Sequence, residues 1–347
     1  MDRKPEADDS FRTISALWLA EKEAAVKQST VEGYRKNLRK HLLPAFGDLR
    51  VSEISPEKAS AFLEMLTTEG SPGCPPVSVN TAMAILTQLR SILDYAAKEH
   101  ACMVQSLYGV RMKKKEKALR ILTSEEEQRL RRVLTGNLNL RNLGILLCLD
   151  TGMRQGELCA LTWEDVSEDG RSILIRRTVT RLPARGTGAK TLLQITSPKG
   201  DQSIRTVPVP AEDAALLRQF RGADETFLLT GEADSFADNR TIQYYLKRVL
   251  KSIGMEEVGF NDLRDTFAVR YLEAGGSVLR LSEILGHINV AFTAGHYLSF
   301  VSDGESAVSA SENAGRGDQP ASRQAGVSAN TGRRPNHAER GPGTMSL

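Results

Sequence analysis

The sequence predicts a mainly α protein with a small antiparallel β-sheet, organised as a helical N-terminal domain followed by an α+β domain. Three observations carry this. Apolar residues recur at helical spacing from Phe11 to Tyr95, β-rich runs are confined to residues 171–209, and helical spacing returns from Ala211 to His287. The chain of 347 residues is long enough for two ordinary domains, and 40% hydrophobic with 26% charged residues is normal for a globular protein. A formal charge of +3 is only mildly basic, so any polyanionic partner must be met by local clusters. No apolar run reaches the ~20 residues of a membrane span, and the N-terminus is no signal peptide. Cys74, Cys102, Cys148 and Cys159 show no CxxC or Cys/His ligand spacing, so no metal site or cofactor is expected. Cys148 and Cys159 lie in apolar stretches and read as buried, reduced thiols, which fits a cytoplasmic location.

Taken in order, residues 1–9 read as a flexible N-terminus and residues 10–110 as a four-helix unit. "SFRTISALWLAEKEAAV" carries Phe11, Ile14, Leu17, Trp18 and Val26, with Ser10 available as N-cap. "STVEGYRKNLRKHLLPAFG" opens on a Ser-Thr cap signal, and Pro44 and Gly47 are expected to stop it. "SPEKASAFLEMLTTEG" begins with Ser-Pro-Glu and closes at Gly70. "SVNTAMAILTQLRSILDYAAKEH" puts Met83, Leu86, Leu89, Ile92, Leu93 and Tyr95 along one side. Residues 111–122 lose the apolar period and concentrate positive charge, as an interdomain linker does.

Residues 123–301 form the second domain. Thr123 or Ser124 caps a helix whose first turn holds Glu125, Glu126 and Glu127, favourable at the positive end of the helix dipole. "RSILIRRTVTRL", "KTLLQIT" and "SIRTVPVP" read as strands of one antiparallel sheet. Helices follow at "AEDAALLRQF", "RTIQYYLKRVLKSIG", "GFNDLRDTFAVRYLEAGG" and "SVLRLSEILGH". From Ser302 to Leu347 apolar residues are too few to build a core, so disorder is expected.

Four separated pieces hold the candidate chemistry. They are "TGMRQGELCALTWEDV" with Arg154 and Glu157, "SPKGDQSIRTVPVP" with Lys199, "NDLRDTF" with Asn261, Arg264 and Asp265, and "LGHINVAFTAGHYLSF" with His287 and Tyr297. In this order, with the "RKNLRKHLLPAFGDLRVSEISPE" stretch of the first domain, they resemble the tyrosine recombinases of the phage-integrase family over roughly residues 10–300. The resemblance implies an N-terminal core-DNA-binding domain and a tyrosine-recombinase catalytic domain. It implies a site-specific recombinase that cuts and rejoins DNA through a 3′-phosphotyrosyl intermediate to integrate or excise a mobile element. Tyr297 matches the nucleophile, Arg154 and Arg264 the pair that binds the nonbridging phosphate oxygens, and Lys199 the general acid. His287 matches a hydrogen-bond donor to the phosphate, and Glu157 a support that orients either Arg154 or His287.

The chemistry requires these types. A tyrosine oxygen that forms a covalent phosphodiester keeps the energy of the cut bond, and fixed guanidiniums offset the charge of the crowded transition state. Two positions depart from the family. Asn261 stands where a histidine is usual, and an amide cannot take a proton at neutral pH, so it is expected to act as a hydrogen-bond donor. Asp265 also replaces a frequent histidine, and beside Arg264 a carboxylate could hold the guanidinium or weaken its charge toward DNA. These departures keep an alternative open, a DNA-binding relic with impaired catalysis; a supercoil-relaxing topoisomerase fits the first domain less well.

The expected partners are double-stranded DNA at attachment sites, three further protomers completing a homo-tetramer on DNA, and an excision factor, with no membrane. Arg35, Lys36, Arg39 and Lys40 in the first domain, and Lys113, Lys114, Lys115 and Lys117 in the linker, are the candidate backbone contacts. Beside relatives that carry an additional N-terminal arm-binding domain, the few residues before the first helix are expected to leave no room for one, so that either the protein works at simple core sites or the chain is truncated.

Overall fold

The computed structural model describes residues 8–113, 119–184, 191–196 and 204–313, with helix backbone alone for 302–313. Its N-terminal half is helical. Helix α1 (Phe11–Ala25) is capped by Ser10, whose hydroxyl accepts from the Thr13 N–H. Asp8 and Asp9 precede this helix, and the Asp9 carbonyl accepts a hydrogen bond from the Val51 N–H at 3.1 Å. Helix α2 (Gln28–Asn37) starts before Ser29 and Thr30, with Lys27 at the N-cap, and the predicted cap signal lies inside the helix.

Pro44 does not end the segment. A π-helical stretch, Leu38–Leu42, precedes the short α3 (Leu43–Phe46), and the Leu43 N–H donates to the Leu38 carbonyl. This wider turn gives proline, which lacks an N–H, a place near the start of α3 where no donor is needed.

Helix α4 (Pro56–Thr68) has Ser55 as cap and proline at its first position, and α5 (Val79–His100) is capped by Ser78. Phe11, Trp18, Leu42, Leu63, Leu86, Leu89 and Ile92 are buried together in this half. The Trp18 indole N–H reaches the Ser91 hydroxyl at 3.1 Å, which satisfies its only donor inside the core.

The second half begins with Leu122, already buried, whose N–H donates to the Thr266 hydroxyl at 3.0 Å. Helix α6 (Ser124–Gly136) is closed at its start by a reciprocal box between Thr123 and Glu126. Helix α7 (Leu140–Thr151) runs through the core and ends at Gly152, left-handed at φ 65°. The short α8 (Gln155–Cys159) follows at once. Cys148 and Cys159 are buried free thiols, and burial pushes the Cys159 thiol up to about 12.

The described β residues form two two-stranded antiparallel sheets rather than the single sheet expected. β1 (Ser172–Ile175) ends before Arg176, and β2 (Thr178–Pro183) begins after Arg177. Both arginines turn onto one carboxylate: Arg176 Nε donates to Asp165 at 2.5 Å and Arg177 Nη2 at 2.6 Å. Two consecutive side chains aimed at one acceptor break the alternation a continuous strand requires. β2 pairs with β3 (Thr191–Thr196), and β1 pairs with β4 (Arg205–Pro208) with Ile173 opposite Val207.

Helices α9 (Ala211–Phe220), α10 (Asn239–Ser252), α11 (Phe260–Glu273), α12 (Val278–Leu285) and α13 (Val290–Asn313) complete the chain. The backbone of α13 is helical from Val290 to Asn313. Among the described residues no helix is long and apolar enough to cross a membrane.

Candidate active site

The site is assembled where three chain segments meet: the α7–α8 junction, the first turns of α11, and the turn joining α12 to α13. Gly152 provides the left-handed C-cap of α7 that sends Arg154 outward as the N-cap of α8. Glu157, one turn on, binds Arg154 twice, accepting from its backbone N–H at 2.8 Å and its Nη1 at 2.9 Å. The other guanidinium nitrogen, Nη2, donates to the Gly286 carbonyl at 3.3 Å. The Arg154 side chain keeps 43% of its surface exposed, so its remaining donor capacity faces outward.

Arg264 lies on the first turns of α11 and is 7% exposed. It donates to the Gly152 carbonyl at 2.6 Å and to the Leu285 carbonyl at 2.7 Å. The two arginines, distant in sequence, thus converge on consecutive carbonyls of one turn. Burial, then the positive charge of Arg154, lowers Arg264 to about 10, so it stays cationic at neutral pH.

His287 closes the group. Its Nε2 lies 3.0 Å from Arg264 Nη2 and its Nδ1 2.8 Å from the Thr293 hydroxyl. A guanidinium only donates, so Nε2 accepts and the ring proton sits on Nδ1, donated to Thr293. Burial and the nearby arginines push His287 down to about 4, which keeps it neutral. The predicted phosphate donor is therefore an acceptor in the free protein.

Tyr297 is 2% exposed and packs against Ala268, Val269, Leu272, Leu281 and Leu285. Its hydroxyl donates to Asp265 Oδ1 at 2.7 Å. Burial and the Asp265 charge push the phenol above its ordinary value, opposed by Arg264 and Arg154. Asp265 therefore meets the tyrosine and not Arg264, the neighbour for which the sequence suggested a holding role. Tyr271, the rival hydroxyl, is partly buried and packs against Phe267. On the outer side of α13, His296 stacks on Phe292 at 5.3 Å, and Phe292 meets His287 edge-on at 5.1 Å.

Asn261 is exposed on the first turn of α11, one turn before Arg264. Lys199 lies outside the described residues, as do Lys114, Lys115 and Lys117; Lys113 is exposed. In the first half, Lys36, Arg39 and Lys40 are exposed along one groove, while Arg35 is ion-paired with Glu23 and Glu32.

Two contributors take roles other than the sequence reading offers: Thr293 is not singled out there, and Arg205 stands only as a competitor of Lys199. Thr293 fixes the His287 ring, and Arg205 on β4 makes a buried double ion pair with Glu157 at 3.0 and 2.8 Å while donating to the Ile284 carbonyl at 2.5 Å. Burial disfavours charge on Glu157, but the Arg205 hydrogen bonds and charge hold its carboxyl below the usual range. The available signal for Arg205 was its place in "IRTVP", where it alternates inward with Val207. Among the described residues no group of acidic, histidine or cysteine side chains is placed to hold a metal ion.

Residues 120–301 match the phage integrase family, and residues 10–66 match the phage integrase N-terminal SAM-like domain. The chain belongs to the phage integrase family. Among relatives of this integrase-family chain is the tyrosine recombinase XerC-like protein of Caldanaerobacter subterraneus subsp. tengcongensis, 27% identical over 293 residues, covering 77% of this chain and 72% of that protein. The integrase of Mycobacterium phage FRAT1 is 26% identical over 297 residues, 82% of this chain and 84% of that one. In fold, it is similar to the Tn1549 transposon integrase in complex with a circular intermediate DNA, with a TM-score of 0.68 at 18% identity, over 84% of this chain and 95% of that chain. It is also similar to a lambda integrase tetramer bound to a Holliday junction, with a TM-score of 0.56 at 17% identity, over 83% and 82%.

Proposed function

We propose that this tyrosine-type, site-specific DNA recombinase cuts and rejoins duplex DNA with Tyr297 as nucleophile. The observation that carries the reading is the convergence of Arg154 and Arg264 on the Leu285–Gly286 turn, with the Tyr297 hydroxyl on the residue after Arg264. Arg154 and Arg264 bind the nonbridging oxygens, where fixed cations stabilise the charge that grows at phosphorus. Glu157 orients Arg154. The Tyr297 oxygen attacks phosphorus, the 5′ oxygen leaves with a proton from Lys199, and the 3′-phosphotyrosyl bond stores the linkage for rejoining. Asn261 donates a hydrogen bond at the rim. His287 becomes a donor once the phosphate charge favours its protonation.

Lys36, Arg39, Lys40 and Lys113 fit contacts along the DNA backbone. Exchange between two sites calls for four protomers, an excision factor fits control of direction, and the DNA substrate puts the enzyme in the cytoplasm. The test is covalent capture: duplexes with randomised core sites and a nick that traps the intermediate yield a protein–DNA adduct with wild type and none with Tyr297→Phe. Adduct persisting in the variant refutes the nucleophile, and specific binding without adduct under any condition favours the relic.

A further inference from the structure

We propose that Asp265 positions the Tyr297 hydroxyl and accepts its proton as the oxygen attacks phosphorus; this rests on the reading of Tyr297 as nucleophile. The hydroxyl donates to Asp265 Oδ1 at 2.7 Å, which fixes the direction of the proton and leaves the oxygen lone pairs free for phosphorus. Asp265 directly follows Arg264 on α11, so one helical turn carries both an arm of the phosphate site and the group that touches the nucleophile. Two other nearby candidates do not fit. Asn261 is an amide, and the His287 Nε2 lone pair is taken by Arg264 Nη2.

The surroundings suit the task. Asp262 and Arg264 on α11 and His296 and Tyr297 on α13 are the titratable groups that face Asp265. Burial outweighs the Tyr297 hydrogen bond and the His296 and Arg264 charges, and raises the Asp265 carboxyl above its ordinary value, making it a stronger base than a solvated aspartate. Beside this carboxylate a standing phenolate is disfavoured, so the proton moves together with the attack. In cleavage the Tyr297 oxygen–phosphorus bond forms, the phosphorus–O5′ bond breaks, and the proton passes from the hydroxyl to Asp265. The electron pair leaves on O5′, which is protonated by Lys199. In rejoining, the 5′ hydroxyl attacks phosphorus and gives its proton back to Lys199, the phosphorus–tyrosine oxygen bond breaks, and Asp265 returns the proton to that oxygen.

The experiment uses the full chain and a duplex recovered from a randomised pool by covalent capture with wild type. Asp265→Asn is expected to bind this duplex with unchanged affinity and unchanged circular dichroism, and to form adduct about 10²–10⁴-fold more slowly. The wild-type rate falls as pH drops through the Asp265 titration, and Asp265→Asn loses that limb. Asp265→Ala regains rate on addition of formate, which supplies a carboxylate in solution. On a duplex with sulfur at the 5′ bridging position, a leaving group that needs no proton, Lys199→Ala recovers and Asp265→Asn stays slow. Adduct formation by Asp265→Asn at the wild-type rate or faster overturns the proposal while leaving Tyr297 as nucleophile. Absence of adduct from wild type with every pool overturns the functional reading, and the proposal with it.

Discussion

His287 illustrates how much a single residue's protonation depends on its neighbours. With Nε2 facing Arg264 and Nδ1–H held by Thr293, the ring has no outlet for a second proton. Its folded pKa of about 4 lies below the ordinary 6.5, so the unfolded chain binds the proton first. Its effect on stability is therefore favourable at neutral pH and is lost as pH falls from 6.5 toward 4. In an NMR titration of the free protein His287 should stay neutral until about pH 4, and a bound duplex should raise that midpoint. A free-protein midpoint near 6.5 would mean that the Arg264 contact is absent in solution. Arg154, Arg264, His287 and Tyr297 were legible because each sits inside a recurrent motif. The Tyr297–Asp265 bond spans 32 residues and depends on how α13 packs on α11, so no local pattern announces it. The pairing of Arg205 with Glu157 was similarly hidden: the sequence offered Arg205 only as a competitor of Lys199 and as an inward position of a short strand.

At the scale of elements, caps made four helices legible. Ser10, Ser55, Ser78 and Thr123 each accept the hydrogen bond that their type and position predict. The misses have two causes, a local change of helix type and a side-chain contact that overrides a strand signal. The π turn carries the chain through Pro44, and Asp165 draws Arg176 and Arg177 out of a β run. The α7–α8 junction shows the reverse, a local requirement that the site depends on. Gly152 is left-handed, and a Cβ there would lie 2.5 Å from the Phe267 ring and 2.8 Å from Leu285. Gly152→Ala should therefore cost about 2–4 kcal/mol from backbone strain and overpacking together. Urea denaturation measures this, and a loss below about 0.5 kcal/mol would show that the junction relaxes freely. Since the Gly152 carbonyl also receives Arg264, the same variant should slow adduct formation more than it weakens DNA binding.

For the whole molecule, net charge was a poor guide and its distribution a better one. The formal charge of +3 is small, yet Lys36, Arg39 and Lys40 are exposed along one groove. Arg35, named with them from the sequence, is already neutralised by Glu23 and Glu32 and should matter less. Replacing Lys36, Arg39 and Lys40 by alanine should weaken binding to cognate and unrelated duplexes alike. It should reduce the slope of log K against log salt by about 0.9 for each phosphate that is no longer neutralised. An unchanged slope in a fluorescence titration across salt concentrations would remove this face from the DNA interface.

Adjacent peptide oxygens of Leu285 and Gly286 receive two different arginines, so two consecutive peptide units set the gauge between the cations. On the proposed function, an arriving phosphate meets a fork whose width was settled during folding, which spares the reaction that rearrangement. Shifting that turn would misalign both prongs together, and the cationic site should then fail as a pair.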